Sequence, residues 1–273
     1  MLKRFIALIL TISTFGTVGF ASADVGFSAN LETPSDIESP TEIETPSDIE
    51  TPIEIPDNGY FYQDGRWTFY KDSEPSSKFG IDVSVWNDKL DWEKIKADGV
   101  EFVMLRVGFR GYGKAGNMKI DSRFEENIKG ANAVGLDIGC YFFSQSITVE
   151  EAVEEAEYAL ETVRDWDVDM PIVYDWEYIG DGARTDLMDA RTLTDMVKAF
   201  CNTVRDAGYE PMLYFGRSHS ADMLILSELV DYGFWLAMYN PIMDYPYKVD
   251  IWQYTETGSV PGISGNVDIN LWF

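Results

Sequence analysis

The sequence predicts an α/β barrel of eight strands whose second half is irregular. Three observations predict it. From Phe79 onward, strand-like and helix-like segments alternate, which implies a parallel sheet with helices outside it. Eight strand-like segments are present, enough to close a barrel. The helices fade after the fifth strand, unlike the regular (β/α)8 form. An open doubly wound sheet is the alternative, but no GxGxxG follows the first strand, so a dinucleotide site is not expected.

Each element has a local reason. Phe79–Val83 is a short strand, and DWEKIKA (91–97) is a helix stopped by Gly99. Residues 101–107 are a strand, followed by a loop with Gly108, Gly111, Gly113 and Gly116. Asp121 is placed to cap a helix over 122–134. Residues 137–143 form the third strand. Thr148 and Glu151 have capping-box spacing for a long helix ending near Asp165. Residues 170–176 are a strand, 190–207 a helix closed by Gly208, and 210–215 a strand. Residues 234–239, 249–254 and 267–271 then read as strands.

The front of the chain is organised differently. Residues 1–23 read as a secretory signal, with Lys3 and Arg4 first, an apolar run from Phe5 to Ile12, and Ala21-Ser22-Ala23 as the small-x-small cleavage pattern. A membrane anchor is the alternative, but the apolar run is short for a span of about 20 residues. Residues 24–58 hold four hexapeptides, ETPSDI, ESPTEI, ETPSDI and ETPIEI. Pro in every copy forbids a helix, and like charges extend the chain, so a solvated linker is expected. Residues 59–78 alternate aromatics around Asp64-Gly65, a hairpin turn dipeptide. Two strands alone are marginal, so this hairpin is expected to pack on the body, residues 79–273.

Composition narrows the chemistry. The 273 residues carry 47 acids, 21 bases, one His and two Cys, a formal charge of -26. One His cannot build a multi-histidine metal site, and two Cys cannot build a four-Cys zinc site. An acidic chain is a poor partner for nucleic acid. His219 lies in GRSHS, without a nucleophile context, and reads as a loop residue. Cys140 and Cys201 read as buried small apolar residues; export would permit a disulfide between them. A metal held only by carboxylates stays open, though no calcium-loop pattern is present.

Acids recur where strands end: Asp82 in FGIDVS, Asp175 and Glu177 in PIVYDWE, and Asp268 in the last strand. Residues two apart on a strand face one side, about 6–7 Å apart at the backbone. Asp175 and Glu177 therefore share a face with Val173, opposite Tyr174 and Trp176. Paired carboxylates suit acid/base work on an acetal, one protonated to assist the leaving oxygen and one ionised to support positive charge. A pair of solvated loop acids is the bland alternative. Aromatics near strand ends, Tyr141, Tyr214, Tyr239 and Trp252, suit stacking on sugar rings, although most aromatics are core. Arg106, if it faces inward, needs a partner, which a strand-end acid would supply.

These motifs together resemble glycoside hydrolase family 25, the lysozymes (N-acetylmuramidases). They are GIDVSVWN (80–87), FVMLRVGFRG, DSRFEENIKGANAVGLDIGCYFFS, VYDWE, FWLAMYN and IWQYTETGSVPGISGNVDIN. The resemblance implies a flattened, irregular TIM-like barrel with about five helices. It implies cleavage of the β-1,4 bond between N-acetylmuramic acid and N-acetylglucosamine in peptidoglycan. Glu177 matches the general acid, and Asp175 the acid that assists internal attack by the substrate's 2-acetamido group. Asp82 and Asp268 match flanking acids. Tyr141, Tyr214, Tyr239 and Gln253 fall in groove-lining motifs, with Arg106 and Trp252 beside them. Asn87 stands where many members have Gln. No cofactor or metal is implied. The expected protein is a secreted monomer acting on glycan strands, with no nucleic-acid partner and no stable membrane insertion once the signal is removed. A non-catalytic glycan-binding protein on the same barrel is the rival reading.

Overall fold

The computed structural model describes residues 56–180, 182–217, 223–241 and 243–273. The expected signal segment, the hexapeptides up to Ile55 and His219 lie outside the described residues.

Strands β1 (Gly59–Gln63), β2 (Arg66–Lys71) and β3 (Glu74–Pro75) form an antiparallel meander. Asp64 and Gly65 both take positive φ, 52° and 84°, which is the backbone a two-residue hairpin turn demands. Tyr60 and Trp67 of this meander pack on Trp252, with ring centroids 5.5 and 5.8 Å away, and Tyr60 also meets Phe273. Arg66 donates to the Asp98 carbonyl at 2.7 Å, pairs with its carboxylate and lies over the Phe79 ring. The expected packing on the body is what these contacts describe.

Eight strands close the barrel: β4 (Lys78–Val83), β5 (Phe102–Arg110), β7 (Asp137–Ser144), β8 (Ile172–Trp176), β9 (Pro211–Gly216), β10 (Gly233–Ala237), β11 (Ile251–Gly258) and β12 (Val267–Trp272). β6 (Met118–Ile120) only extends the far end of β5, antiparallel to it. Pairing runs in parallel from β4 through β5, β7, β8, β9 and β10 to β11. β12 then lies antiparallel to both β11 and β4, closing the ring. The all-parallel sheet that strand–helix alternation implies is therefore corrected at its last strand. Connections without a helix allow β12 to return in the opposite direction.

Four α-helices are found among the described residues, against the about five expected: α1 (Trp92–Ala97), α2 (Phe124–Ala133), α3 (Val149–Val163) and α4 (Ala190–Asp206). Asp91, Thr148 and Asp189 cap α1, α3 and α4 by accepting from backbone N–H groups. Two predicted caps differ. Glu151 reaches past Thr148 to the Ile147 N–H, so the box is not reciprocal. Asp121 does not cap α2 as its N-cap, which is Arg123. It accepts instead from the Arg123 and Val85 N–H groups and from Arg106.

Strand alternation divides the core in two. Val103, Leu105, Cys140, Phe142, Tyr174, Leu213 and Leu236 face outward under the helices. Phe102, Met104, Tyr141, Met170, Val173, Met212, Trp235 and Ile251 fill the barrel interior. Gly80 makes room for Phe102: an added Cβ there would lie 2.3 Å from the ring. Each such buried side chain contributes about 1.5–3 kcal/mol relative to exposure. Cys140 and Cys201 are buried and unpaired, and burial pushes both thiols up. Among the described residues no helix is long and apolar enough to cross a membrane.

Candidate active site

The barrel interior is apolar at one end and polar at the other, and the strand period explains it. Phe102 and Met104 lead to Arg106 on β5, Val173 to Asp175 on β8, Met212 to Tyr214 on β9, and Ile251 to Gln253 on β11. Gly80 leads likewise to Asp82 on β4. Because β12 runs the other way, Asp268 comes near its start, yet it faces Asp82 directly across the β4–β12 pair. All four predicted acids are thus brought to one end of the barrel.

Asp82 is the best-held of them. Its Oδ2 accepts from Gln253 Nε2 and Asn270 Nδ2, both at 2.8 Å. Both amides are themselves oriented. Gln253 Oε1 accepts from the Tyr214 and Tyr239 hydroxyls at 3.1 and 2.8 Å, and Asn270 Oδ1 accepts from the Trp235 indole at 2.8 Å. Burial raises the Asp82 carboxyl, while these donors and the Asp268 hydroxyl hold it down. Burial, the Asp82 charge and the hydrogen bond to Asp82 push Asp268 up to about 9, so one proton is held between the two.

Asp175 is buried and raised well above the carboxylate range, first by loss of water, then by Glu177 and Asp82. Its Oδ1 has no hydrogen-bond partner. Glu177, one residue past β8, keeps accessible surface but sits deep enough that desolvation, with Asp82, pushes it up to about 7. Arg106 opposes both shifts. The arrangement offers a reachable carboxyl that keeps its proton up to near neutral pH beside buried acids, the asymmetry that acid catalysis requires.

Tyr141, Tyr214, Tyr239 and Gln253 join this end of the barrel. Tyr141 is buried against Trp235 and feels the charges of Arg106, Asp82, Asp175 and Asp268. Tyr239 is half exposed. A cavity of about 530 Å³ opens beside Glu177, bordered by Tyr178, Tyr214, Tyr239 and Asn240.

Two expectations need correction. The partner of Arg106 is none of the four predicted acids. Its Nε bonds Asp121 Oδ2 at 2.7 Å, which holds the guanidinium at the edge of the cluster. Trp252 is not in the groove. It follows the outward parity of β11, is fully buried under Tyr60 and Trp67, and donates to the Met238 carbonyl at 2.7 Å.

Some contributors are not among the residues the sequence predicts. Asn270 lies two residues beyond Asp268 and shares its face, so strand parity was a usable signal. Glu256 raises both Glu177 and Asp268 electrostatically. A bulge between Gln253 and Thr255 breaks the parity that would have pointed to it. Trp86, 66% exposed, sits on the 3-10 turn directly after β4. Asn87 closes that turn by accepting from the Ser84 N–H at 2.9 Å, a local role for the position where it departs from Gln.

The family model described as glycosyl hydrolases family 25 matches residues 81–263. The protein YegX of Escherichia coli, uncharacterized, is 28% identical over 202 residues, 71% of this chain and 68% of its own length. The autolytic lysozyme of Clostridium acetobutylicum is 27% identical over 194 residues, 70% of this chain and 54% of its own. The modular autolysin LytC of Streptococcus pneumoniae, solved with a synthetic peptidoglycan ligand, superposes with a TM-score of 0.66 at 27% identity. That match covers 79% of this chain and 52% of LytC, so the chain spans about half the length of the autolysin.

Proposed function

The chain belongs to glycosyl hydrolase family 25, and on that premise we propose that it is a muramidase cleaving the β-1,4 bond after N-acetylmuramic acid in peptidoglycan. The observation that carries this reading is the graded cluster of carboxyls at one end of the barrel. Glu177 is reachable and pushed up to about 7, while Asp175 is buried behind it with a free Oδ1.

Glu177 donates its proton to the glycosidic oxygen as the bond to the anomeric carbon breaks. The substrate's own acetamido oxygen attacks that carbon. Asp175 Oδ1 accepts the acetamido N–H, which supplies the partner it lacks and favours its ionised form. Water then attacks the anomeric carbon as its bond to the acetamido oxygen breaks, the water's proton passes to Glu177, and configuration is retained. Asp82, clamped by Gln253 and Asn270, fixes the negative charge behind the site, and Asp268 holds the shared proton. Tyr214 and Tyr239 border the sugar path, and Arg106 limits the build-up of negative charge.

Residues 1–23 as a signal, 24–58 as a linker, 59–78 as a packed hairpin and 79–273 as the catalytic body complete the proposal. The product is then a secreted monomer whose partner is the glycan strand. Purified wild type and Glu177→Gln are to be incubated with peptidoglycan and the products sequenced. Wild type should release new reducing ends on muramic acid, and Glu177→Gln should lose about 10²–10⁴-fold in rate. No release by wild type would leave a glycan-binding protein as the reading, and an active Glu177→Gln would remove the acid assignment.

A further inference from the structure

The segment leaving β8 carries Glu177 into a connection whose described residues form no helix or strand, so something must hold its backbone. Gln145, one residue past β7, does so from the neighbouring strand. Its side chain is fully buried. Nε2 donates to the Glu177 carbonyl at 3.1 Å and to the Ser144 carbonyl at 2.9 Å. Oε1 accepts from the Thr185 hydroxyl at 2.9 Å, and Thr185 is equally buried. The amide cannot be turned over, since that would set its oxygen against two carbonyl oxygens. Gln145 is also anchored from behind, where its backbone N–H is held by Glu155, whose carboxylate binds Arg110 at 2.7 Å.

Thr185 belongs to the same connection as Glu177, eight residues on. The connection is therefore folded back so that both of its parts meet one side chain. Arg184 closes the fold by pairing with Glu151 on α3 at 2.7 Å and donating its own N–H to the Tyr112 carbonyl at 3.1 Å. None of these groups faces the carboxyl cluster, yet together they set where the Glu177 backbone leaves the sheet.

We propose that Gln145 and Thr185 are a positioning pair for Glu177: the amide grips the Glu177 carbonyl, and the Thr185 hydroxyl locks the amide's orientation. The proposal rests on the reading of Glu177 as the acid. Loosening the carbonyl moves the carboxyl outward into water. Its acidity is otherwise set by Asp82 on β4, Arg106 on β5 and Glu256 on β11, and its own charge in turn raises Asp175 on β8. Asp268, Tyr214 and Tyr239 face it from β12, β9 and the end of β10. All seven stay in place when the pair is cut, so rehydration of Glu177 alone remains to shift its titration downward.

The test uses the full chain with Thr185→Val, Thr185→Ser, Gln145→Met and Glu177→Gln. Rates are read on a soluble, peptide-free oligomer of alternating N-acetylglucosamine and N-acetylmuramic acid, from pH 4 to 9. Thr185→Val, near-isosteric, should lower kcat about tenfold or more with KM within about twofold, because small misplacement of a catalytic group costs rate and not binding. The alkaline limb of kcat should move about one unit toward acid, and Thr185→Ser should restore both. Gln145→Met should repeat the pattern, and is read alone if Thr185→Val does not fold. Wild-type kcat and an unmoved limb in both variants would overturn the pair. A kcat loss with an unmoved limb and no rescue by Ser would overturn it too, as damage unrelated to positioning. Those outcomes come with an inactive Glu177→Gln; an active Glu177→Gln would instead fail the acid reading.

Discussion

Replacing Asp268 by Asn should stabilise the protein, and the amount follows from the proton it holds. In the folded chain its carboxyl is pushed up to about 9, by burial first and then by Asp82. In the unfolded chain it returns to about 3.9. Between those values folding must take up a proton. Stability that is complete below about pH 4 is therefore lost steadily as pH rises toward 9. At pH 7 the interval is roughly three units, or about 4 kcal/mol at about 1.4 kcal/mol per unit. That figure is an upper bound, because Asp82 remains buried in the variant and loses the proton it shared, so the replacement recovers on the order of 2 kcal/mol. Asn is neutral in both states and can donate an N–H to Asp82 where the acid donates its O–H. For a body of this size about 2 kcal/mol is a rise of roughly 4–8 °C in Tm. Calorimetric melting of both proteins at pH 4 and pH 7 reads the effect. The variant should match wild type at pH 4 and melt higher at pH 7. A gap that is equal at both pH values, or a variant that melts lower at pH 7, would refute the proton-sharing argument.

Two further outcomes are expected. With Glu177 titrating near 7, kcat on a soluble glycan should fall about tenfold per pH unit above that value. A rate that stays level to pH 9 would count against Glu177 as the acid. Trp252→Ala should cost about 3–5 kcal/mol in a denaturant melt, because the ring is fully buried between the barrel and the hairpin, and KM should not change. A raised KM with unaltered stability would return Trp252 to the groove.

Much of the site was legible because a strand repeats every two residues. VYDWE puts Asp175 and Glu177 on one face, and the structure keeps Val173 and Asp175 inside with Tyr174 and Trp176 outside. The same period, applied to IWQY, places Gln253 and Trp252 on opposite faces. It does not say which of the two is the inner one, and nearness to a strand end alone groups Trp252 with the sugar-stacking aromatics. Period gives relative facing, and only the rest of the barrel says which face is in. Capping was read with similar success at Thr148. Glu151 and Asp121 keep local bonds to the Ile147 and Arg123 N–H groups, but each also pairs with an arginine from another element, Arg184 and Arg106.

What the sequence determined by itself is local: the alternating elements, the turn at Asp64-Gly65, the capped helices and the acids at the strand ends. These depend on backbone preference and on spacing along a few residues. Tertiary structure alone decided the antiparallel return of β12, which sets Asp268 opposite Asp82. It also decided the clamp of Gln253 and Asn270 on that acid, the cover of the hairpin over Trp252, and the grip of Gln145 on Glu177. Asp82 and Asn270 are 188 residues apart in the chain. Hydrogen bonds over such separations arise only after the barrel has closed, because closure, not sequence spacing, determines which side chains share the low-dielectric interior where an unpaired polar group is costly.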